Sequence, residues 1–195
     1  MVASGASAGD RVSADSRVRD AEEFDRLRRR VLWALPTGLF VVGTRSGPTV
    51  NAMTASLVMQ VATEPKLLAV AIEAGSRTRR LVEESGCFSV SVLDREQRSV
   101  VRRFVKPVEE IDRTDGAITA LQGVPVVEVG DGLPVVAAAV AWLVCTSVRS
   151  ILHDPVGGEP ASHVLFVGEV TDAGAVEPVG RSVLRMEDTR MHYGG

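Results

Sequence analysis

The chain has 195 residues, enough for one domain and at most two, and 45% of them are hydrophobic, so a sizeable core can form and wholesale disorder is excluded. With 22 Lys and Arg against 25 Asp and Glu, the net charge is −3 and the pI is about 5.7, too balanced for a general nucleic-acid binder. No apolar run approaches the ~18 residues of a membrane span, Cys87 and Cys145 stand outside any CxxC or CxxH pair, and the histidines lack metal-ligand spacing.

No apolar leader is visible at the amino terminus, so a cytoplasmic globular protein is expected, with no metal. Residues 1–17 are rich in Ala, Ser, Gly and charge and read as a mobile tail; residues 18–195 read as the domain. Asp20 and Glu23 have the spacing of a capping box. Phe24, Leu27, Val31, Leu32 and Leu35 then follow at helical spacing up to Pro36. The opposite face carries Arg26, Arg28, Arg29 and Arg30, which read as a solvated face.

Beyond Gly38 the texture changes to short runs rich in Val, Ala and Leu. Residues 39–44, 67–72, 88–93, 135–146 and 164–170 predict strands, and 51–58 and 183–186 are weaker candidates. Two helices are predicted between them. Residues 76–84 form one that is closed by Gly86, and residues 94–104 form one that opens on a second capping-box pair, Asp94 and Gln97. Residues 106–133 read as a long irregular connection. Strand following strand, without regular βαβ alternation, predicts a mainly β fold: an antiparallel barrel with flanking helices. Met59, Trp142 and Trp33 are expected in the core, and Cys87 and Cys145 as inert buried thiols.

Gly130-Asp131-Gly132 is followed by Leu133-Pro134, which suits a turn and not a dinucleotide-binding loop; phosphate-loop and nucleophile-elbow motifs are absent. In Asn51-Ala52-Met53-Thr54-Ala55-Ser56, small and hydroxyl residues interrupt two apolar runs. Such a stretch suits either an ordinary edge strand or a strand that a flat ligand approaches closely. Gly75-Ser76-Arg77-Thr78-Arg79-Arg80 places two hydroxyls and three guanidiniums around a helix start, where free N–H groups and the positive dipole end point outward. That constellation suits either a phosphate cradle or a capped surface helix with its arginines in water.

Five segments in this order, "LPTGLFVVGT", "NAMTASLVMQVATEPKLLAVAIE", "GSRTRRLVEESGCFSVSVL", "AAAVAWLVCTSV" and "HVLFVGEV", resemble the flavin reductase-like family of FMN-binding split barrels, over residues 24–195. The resemblance implies a six-stranded antiparallel split β-barrel that forms a homodimer and binds FMN or FAD non-covalently. Asn51, Met53, Thr54, Ala55 and Ser56 would then line the isoalloxazine and ribityl chain, and Ser76, Arg77 and Thr78 would hold the phosphate. His163 matches a family histidine often preceded by Asp, where this chain has Ser162, and would stand at the nicotinamide groove as the catalytic-site residue. The loop 154–161 is longer than usual, and the closing His192-Tyr193-Gly194-Gly195 resembles one branch of the family. The implied activity is transfer of hydride from NADH or NADPH to flavin, with reduced flavin passed to a partner monooxygenase. Membrane and nucleic-acid partners are not expected. "LVMQV" is similar to flavoredoxin-like members, which leaves an electron carrier or a non-catalytic FMN-binding protein as the alternative.

Overall fold

A computed structural model describes residues 21–151, 161–176 and 182–189. The expected tail, most of the loop 154–161 and the closing His192–Gly195 lie outside these residues.

The chain divides into two units. Helix α1, Ala21–Trp33, belongs to the first and stops just before Pro36, as the backbone restriction ahead of a proline dictates. Phe24, Val31 and Leu32 on the helix and Leu35 just beyond it are exposed, and Trp33, expected in the core, is 42% exposed. Among the described residues of this unit no second layer covers that apolar face.

The second unit holds all eleven strands found among the described residues. Strands β1 (Phe40–Ser46), β2 (Thr49–Ala55), β3 (Val58–Thr63) and β4 (Lys66–Glu73) are followed by helix α2 (Arg77–Ser85) and β5 (Phe88–Val92). A 3-10 turn, Arg95–Gln97, leads into α3 (Arg98–Arg103), then come β6 (Ile111–Thr114), β7 (Ala117–Leu121), β8 (Val124–Val129) and β9 (Leu133–Val136). Strands β10 (Ala141–Ser150) and β11 (His163–Ala175) and a 3-10 turn at Met186–Asp188 complete the unit. The predicted caps are in place. Ser76 accepts from the Arg79 N–H, Gly86 takes the left-handed conformation with φ 67°, and Asp94 and Gln97 form the full capping box.

The fold is mainly β with few helices. It is not the expected six-stranded barrel: the strands form a seven-stranded antiparallel sheet, β2-β1-β5-β10-β11-β4-β3, and a four-stranded sheet, β6-β7-β8-β9. The region expected to be an irregular connection, residues 106–133, supplies β6, β7 and β8. Asp115-Gly116 and Gln122-Gly123 turn these strands with positive φ at both positions, the geometry that matches the twist of a tight hairpin. The run 135–146 is broken into β9 and β10 by a turn. Val183 and Arg185 make isolated bridges to Asp94 and Gly38 in place of a strand.

The edge strands of the large sheet, β2 and β3, are joined through Ser56 and Leu57. Laid flat at ~4.8 Å per strand, those edges would lie about 29 Å apart, yet the chain from Ala55 to Val58 reaches at most about 10 Å. The sheet therefore curls until its edges meet at that corner, while no ladder joins β2 to β3 along the rest of their length.

One core fills the concave side with Val42, Val70, Ile72, Phe88, Val90 and Phe166; a second, including Val41, Leu93, Phe104, Ile118 and Leu121, joins the two sheets. β1 lies between them, which is why it reads as an unbroken apolar run and not an alternation. Strand β9 is held across β1 and β5 by buried serines. Ser89 Oγ donates to the Pro134 carbonyl at 2.6 Å, and Ser91 Oγ accepts from the Val136 N–H at 3.0 Å. Among the described residues no helix is long and apolar enough to cross a membrane, and no group of three His, Cys, Asp or Glu residues assembles a metal site.

Candidate functional site

The two constellations read from the sequence meet in space. β4 ends at Glu73 and passes through Ala74 and Gly75 into the start of α2, and that start lies beside β2: Asn51 Nδ2 donates to Thr78 Oγ1 at 2.8 Å. Antiparallel pairing sets His163, the first residue of β11, opposite Glu73, and the Ala74 N–H donates to the Ser162 carbonyl at 2.9 Å. His163, the Ser76 turn and β2 thus converge on one end of the curled sheet.

The start of α2 has the features of an anion site. Ser76 caps the Arg79 amide at 3.1 Å, and no hydrogen bond among the described residues takes the N–H of Arg77 or Thr78. Among the described glycines Gly75 alone has neither a positive φ nor any atom near the position its Cβ would occupy. Neither backbone strain nor internal packing demands a glycine there, whereas close approach of a ligand would. The arginines divide their work. Arg77 Nη1 donates to the Val108 carbonyl at 2.8 Å, Arg79 is tied to the Ala74 carbonyl and to Glu83, and Arg80 is exposed.

On β2 the expected ligand-lining residues fall into two groups. Asn51 and Thr54 are buried and turned into the protein: Asn51 Oδ1 accepts from the Val108 N–H at 2.9 Å, and Thr54 Oγ1 donates to the Val101 carbonyl. Ala55 is buried in the concave core. Met53 is only partly buried, and the Ser56 hydroxyl, at the corner where the sheet edges meet, takes no partner among the described residues. Of these residues, Met53 on β2 and Ser56 just beyond it, the latter 8% exposed, are the side chains neither hydrogen-bonded within the protein nor enclosed in a core. Thr78 is buried too, with its hydroxyl engaged by Asn51, so its main-chain amide is the group it can offer.

His163 is half-buried, and its Nδ1 shares a 2.9 Å hydrogen bond with Ser162 Oγ. Ser162, which stands where the resemblance implies an Asp in many members, fixes the ring by a neutral contact, leaving Nε2 without a partner among the described residues. Of the thiols, Cys145 is fully buried, and burial pushes it up to about 12, so it stays protonated and unreactive at neutral pH. Val108 was missed by sequence reasoning. Its main chain is gripped from both sides, and its only sequence signal was its place just after Pro107 in a stretch with no evident periodicity.

The flavin reductase-like domain family matches residues 32–195. The NADH-dependent FMN reductase AsuE2 of Streptomyces nodosus subsp. asukaensis is 31% identical over 152 residues, 78% of this chain and 76% of the relative. Two other curated relatives are spanned over only 44% and 60% of their length. Among solved structures, the NADH:FAD oxidoreductase SgcE6 of Streptomyces globisporus superposes with a TM-score of 0.68 at 26% identity, covering 92% of this chain and 97% of its own. BorF, the flavin reductase component of a bacterial two-component tryptophan halogenase, superposes with a TM-score of 0.61 at 25% identity, covering 78% of this chain and 88% of its own. With the family match extending over most of its length, the chain belongs to the flavin reductase-like family.

Proposed function

We propose that this protein is an NAD(P)H-dependent flavin reductase of the cytoplasm that reduces FMN or FAD and hands the reduced flavin to a partner monooxygenase. The observation that carries the reading is the open helix start at Gly75 and Ser76, set beside β2 and following directly on Glu73, the β4 residue that pairs with His163. The reductases among its relatives and the halogenase component BorF support it. The residues present fit a flavin phosphate: main-chain amides of Arg77 and Thr78 at a positive helix end, with Arg77 Nε and Nη2 still free of any described hydrogen bond.

When bound, the flavin supplies the redox chemistry by accepting hydride from the nicotinamide. The chain supplies binding, orientation and exclusion of water. Arg77 and the α2 amides hold the phosphate, Met53 and Ser56 bound the flat ring system, and the Nε2 edge of His163 orients the nicotinamide carboxamide. Steady-state oxidation of NADH and NADPH with FMN, FAD and riboflavin tests the reading, and a chain that oxidises neither nucleotide with any flavin overturns it.

Arg77→Ala is expected to weaken FMN by about 1.5–3 kcal/mol more than it weakens riboflavin, which lacks the phosphate. Equal weakening of the two, measured by flavin fluorescence titration, would remove the phosphate from this site.

The protein functions as a homodimer. The apolar run 135–144 offers no dimer face, because it is largely closed within the chain, with Val135, Val136 and Ala139 buried. A different surface supports the dimer. Leu57, just before the edge strand β3, and Met59 and Val61 on it are exposed large apolar side chains, and Met59, expected in the core, is 64% exposed. An edge strand that shows both free backbone and large apolar side chains calls for a partner. Light scattering should return twice 20.7 kDa for the wild type. Met59→Glu should return a monomer, and a dimer that survives this change would move the interface elsewhere.

A further inference from the structure

Asn51 stands in the strand that resembles the family's flavin-contacting segment, yet its carboxamide is spent inside the protein. It is 2% exposed, its nitrogen donates to Thr78 Oγ1, and its oxygen accepts from the Val108 N–H. From the other side, Arg77 Nη1 donates to the Val108 carbonyl. Both polar groups of one peptide residue are therefore held by side chains from β2 and from the first turn of α2. Three residues from Asn51 on β2, the Thr54 N–H donates to the Phe104 carbonyl at 3.0 Å and the Thr54 hydroxyl to Val101. Residues 104–108 are thereby fastened along the free edge of β2, from the end of α3 to the start of α2. Val108 and Phe104 are buried, while Val105, Lys106 and Pro107 between them are exposed. This stretch makes no strand ladder, so it is held by these few bonds and by the burial of Phe104 and Val108 at its two ends.

Given the flavin site proposed above, on which this inference rests, we propose that Asn51, Thr78 and Arg77 are positioning residues that clamp residues 104–108 as a fixed wall of that site, with Asn51 touching no part of the flavin. Arg77 then has two tasks: one guanidinium nitrogen holds Val108, and the others face the phosphate. The clamp explains why a hydroxyl sits at position 78 although it is buried away from any anion. Thr78 orients the Asn51 carboxamide so that its oxygen meets the Val108 N–H. Losing either partner leaves a buried polar group unpaired.

The test uses the full chain. Thr78→Val keeps the side chain's shape and the main-chain amide but removes the hydroxyl, so it should fold as the wild type does; Asn51→Ala removes the clamp itself. In flavin-free protein, amide hydrogen exchange over residues 104–108 should rise about tenfold in Thr78→Val and further in Asn51→Ala, with exchange in β10 and β11 unchanged. In titrations, both variants should weaken FMN and riboflavin by the same factor, three- to tenfold for Thr78→Val, and the double variant should be no weaker than Asn51→Ala alone. Three outcomes overturn the clamp: unchanged exchange at residues 104–108, additive losses in the double variant, or a Thr78→Val defect confined to FMN, which would make the hydroxyl a phosphate ligand. The exchange measurement needs no flavin. A chain that binds no flavin would therefore overturn the proposed function, while exchange still decides whether the clamp exists.

Discussion

Phe88→Ala should destabilise the protein by about 3–5 kcal/mol, the cost of removing a fully buried aromatic ring from a packed core. Phe88 is fully buried on β5, which pairs with β1 on one side and β10 on the other. Its ring fills the space left by Gly168 of β11, where an added Cβ would already lie 3.3 Å from the ring. No neighbour can collapse into that space without moving the β10–β11 ladder, so the cavity term is expected at full size. For a chain of this length the loss corresponds to roughly 6–20 °C in Tm, measurable by circular dichroism. A loss below about 1 kcal/mol would mean that the concave core repacks freely.

Replacing His163 with alanine should lower kcat/KM for NADH or NADPH ten- to a hundredfold, or roughly 1.4–2.7 kcal/mol, mainly through KM, with flavin affinity nearly unchanged. The imidazole stands at the first residue of β11, its Nδ1 held by Ser162 and its Nε2 left for a ligand. Ser162 is a neutral partner, so the ring orients by hydrogen bonding and not through an ion pair. Ser162→Ala should accordingly reproduce a fraction of the KM effect by letting the ring turn. Stopped-flow mixing with each nucleotide separates nucleotide binding from hydride transfer. A variant that turns over both nucleotides as the wild type does would make His163 a rim residue with no part in the reaction.

Local signals carried much of this structure. The caps at Ser76, Gly86 and Asp94 are set by bonds spanning only a few residues, so the chain around them was enough to find them. The hairpins of the second sheet were legible in principle, because Asp115-Gly116 and Gln122-Gly123 are tight-turn pairs. They were missed because β6 is fully exposed and carries little apolar periodicity. Met59 and Trp33 were misplaced for a different reason: hydrophobicity reports that a side chain avoids water, not which surface covers it. Asn51 and Thr54 mark the harder boundary. A short polar side chain on a strand reads the same whether it meets a ligand or a main-chain group 57 or 47 residues away, and here it meets Val108 and Val101.

The position of β1 between two cores bears on how the molecule comes apart. Val41 packs into the core that joins the sheets, and the adjacent Val42 into the concave one. Loosening either core strips one face of the same strand, so neither sheet can melt as an independent unit while the other remains native. The elements of the proposed flavin site flank this shared strand: β2 pairs along it, and α2 sends Val82 into the same concave core as Val42. Local opening is therefore confined to segments held outside both cores, and Val105–Pro107 is such a segment. Between its fastened ends at Phe104 and Val108 that short exposed stretch can open locally, while β2 and α2 open only with the whole unit.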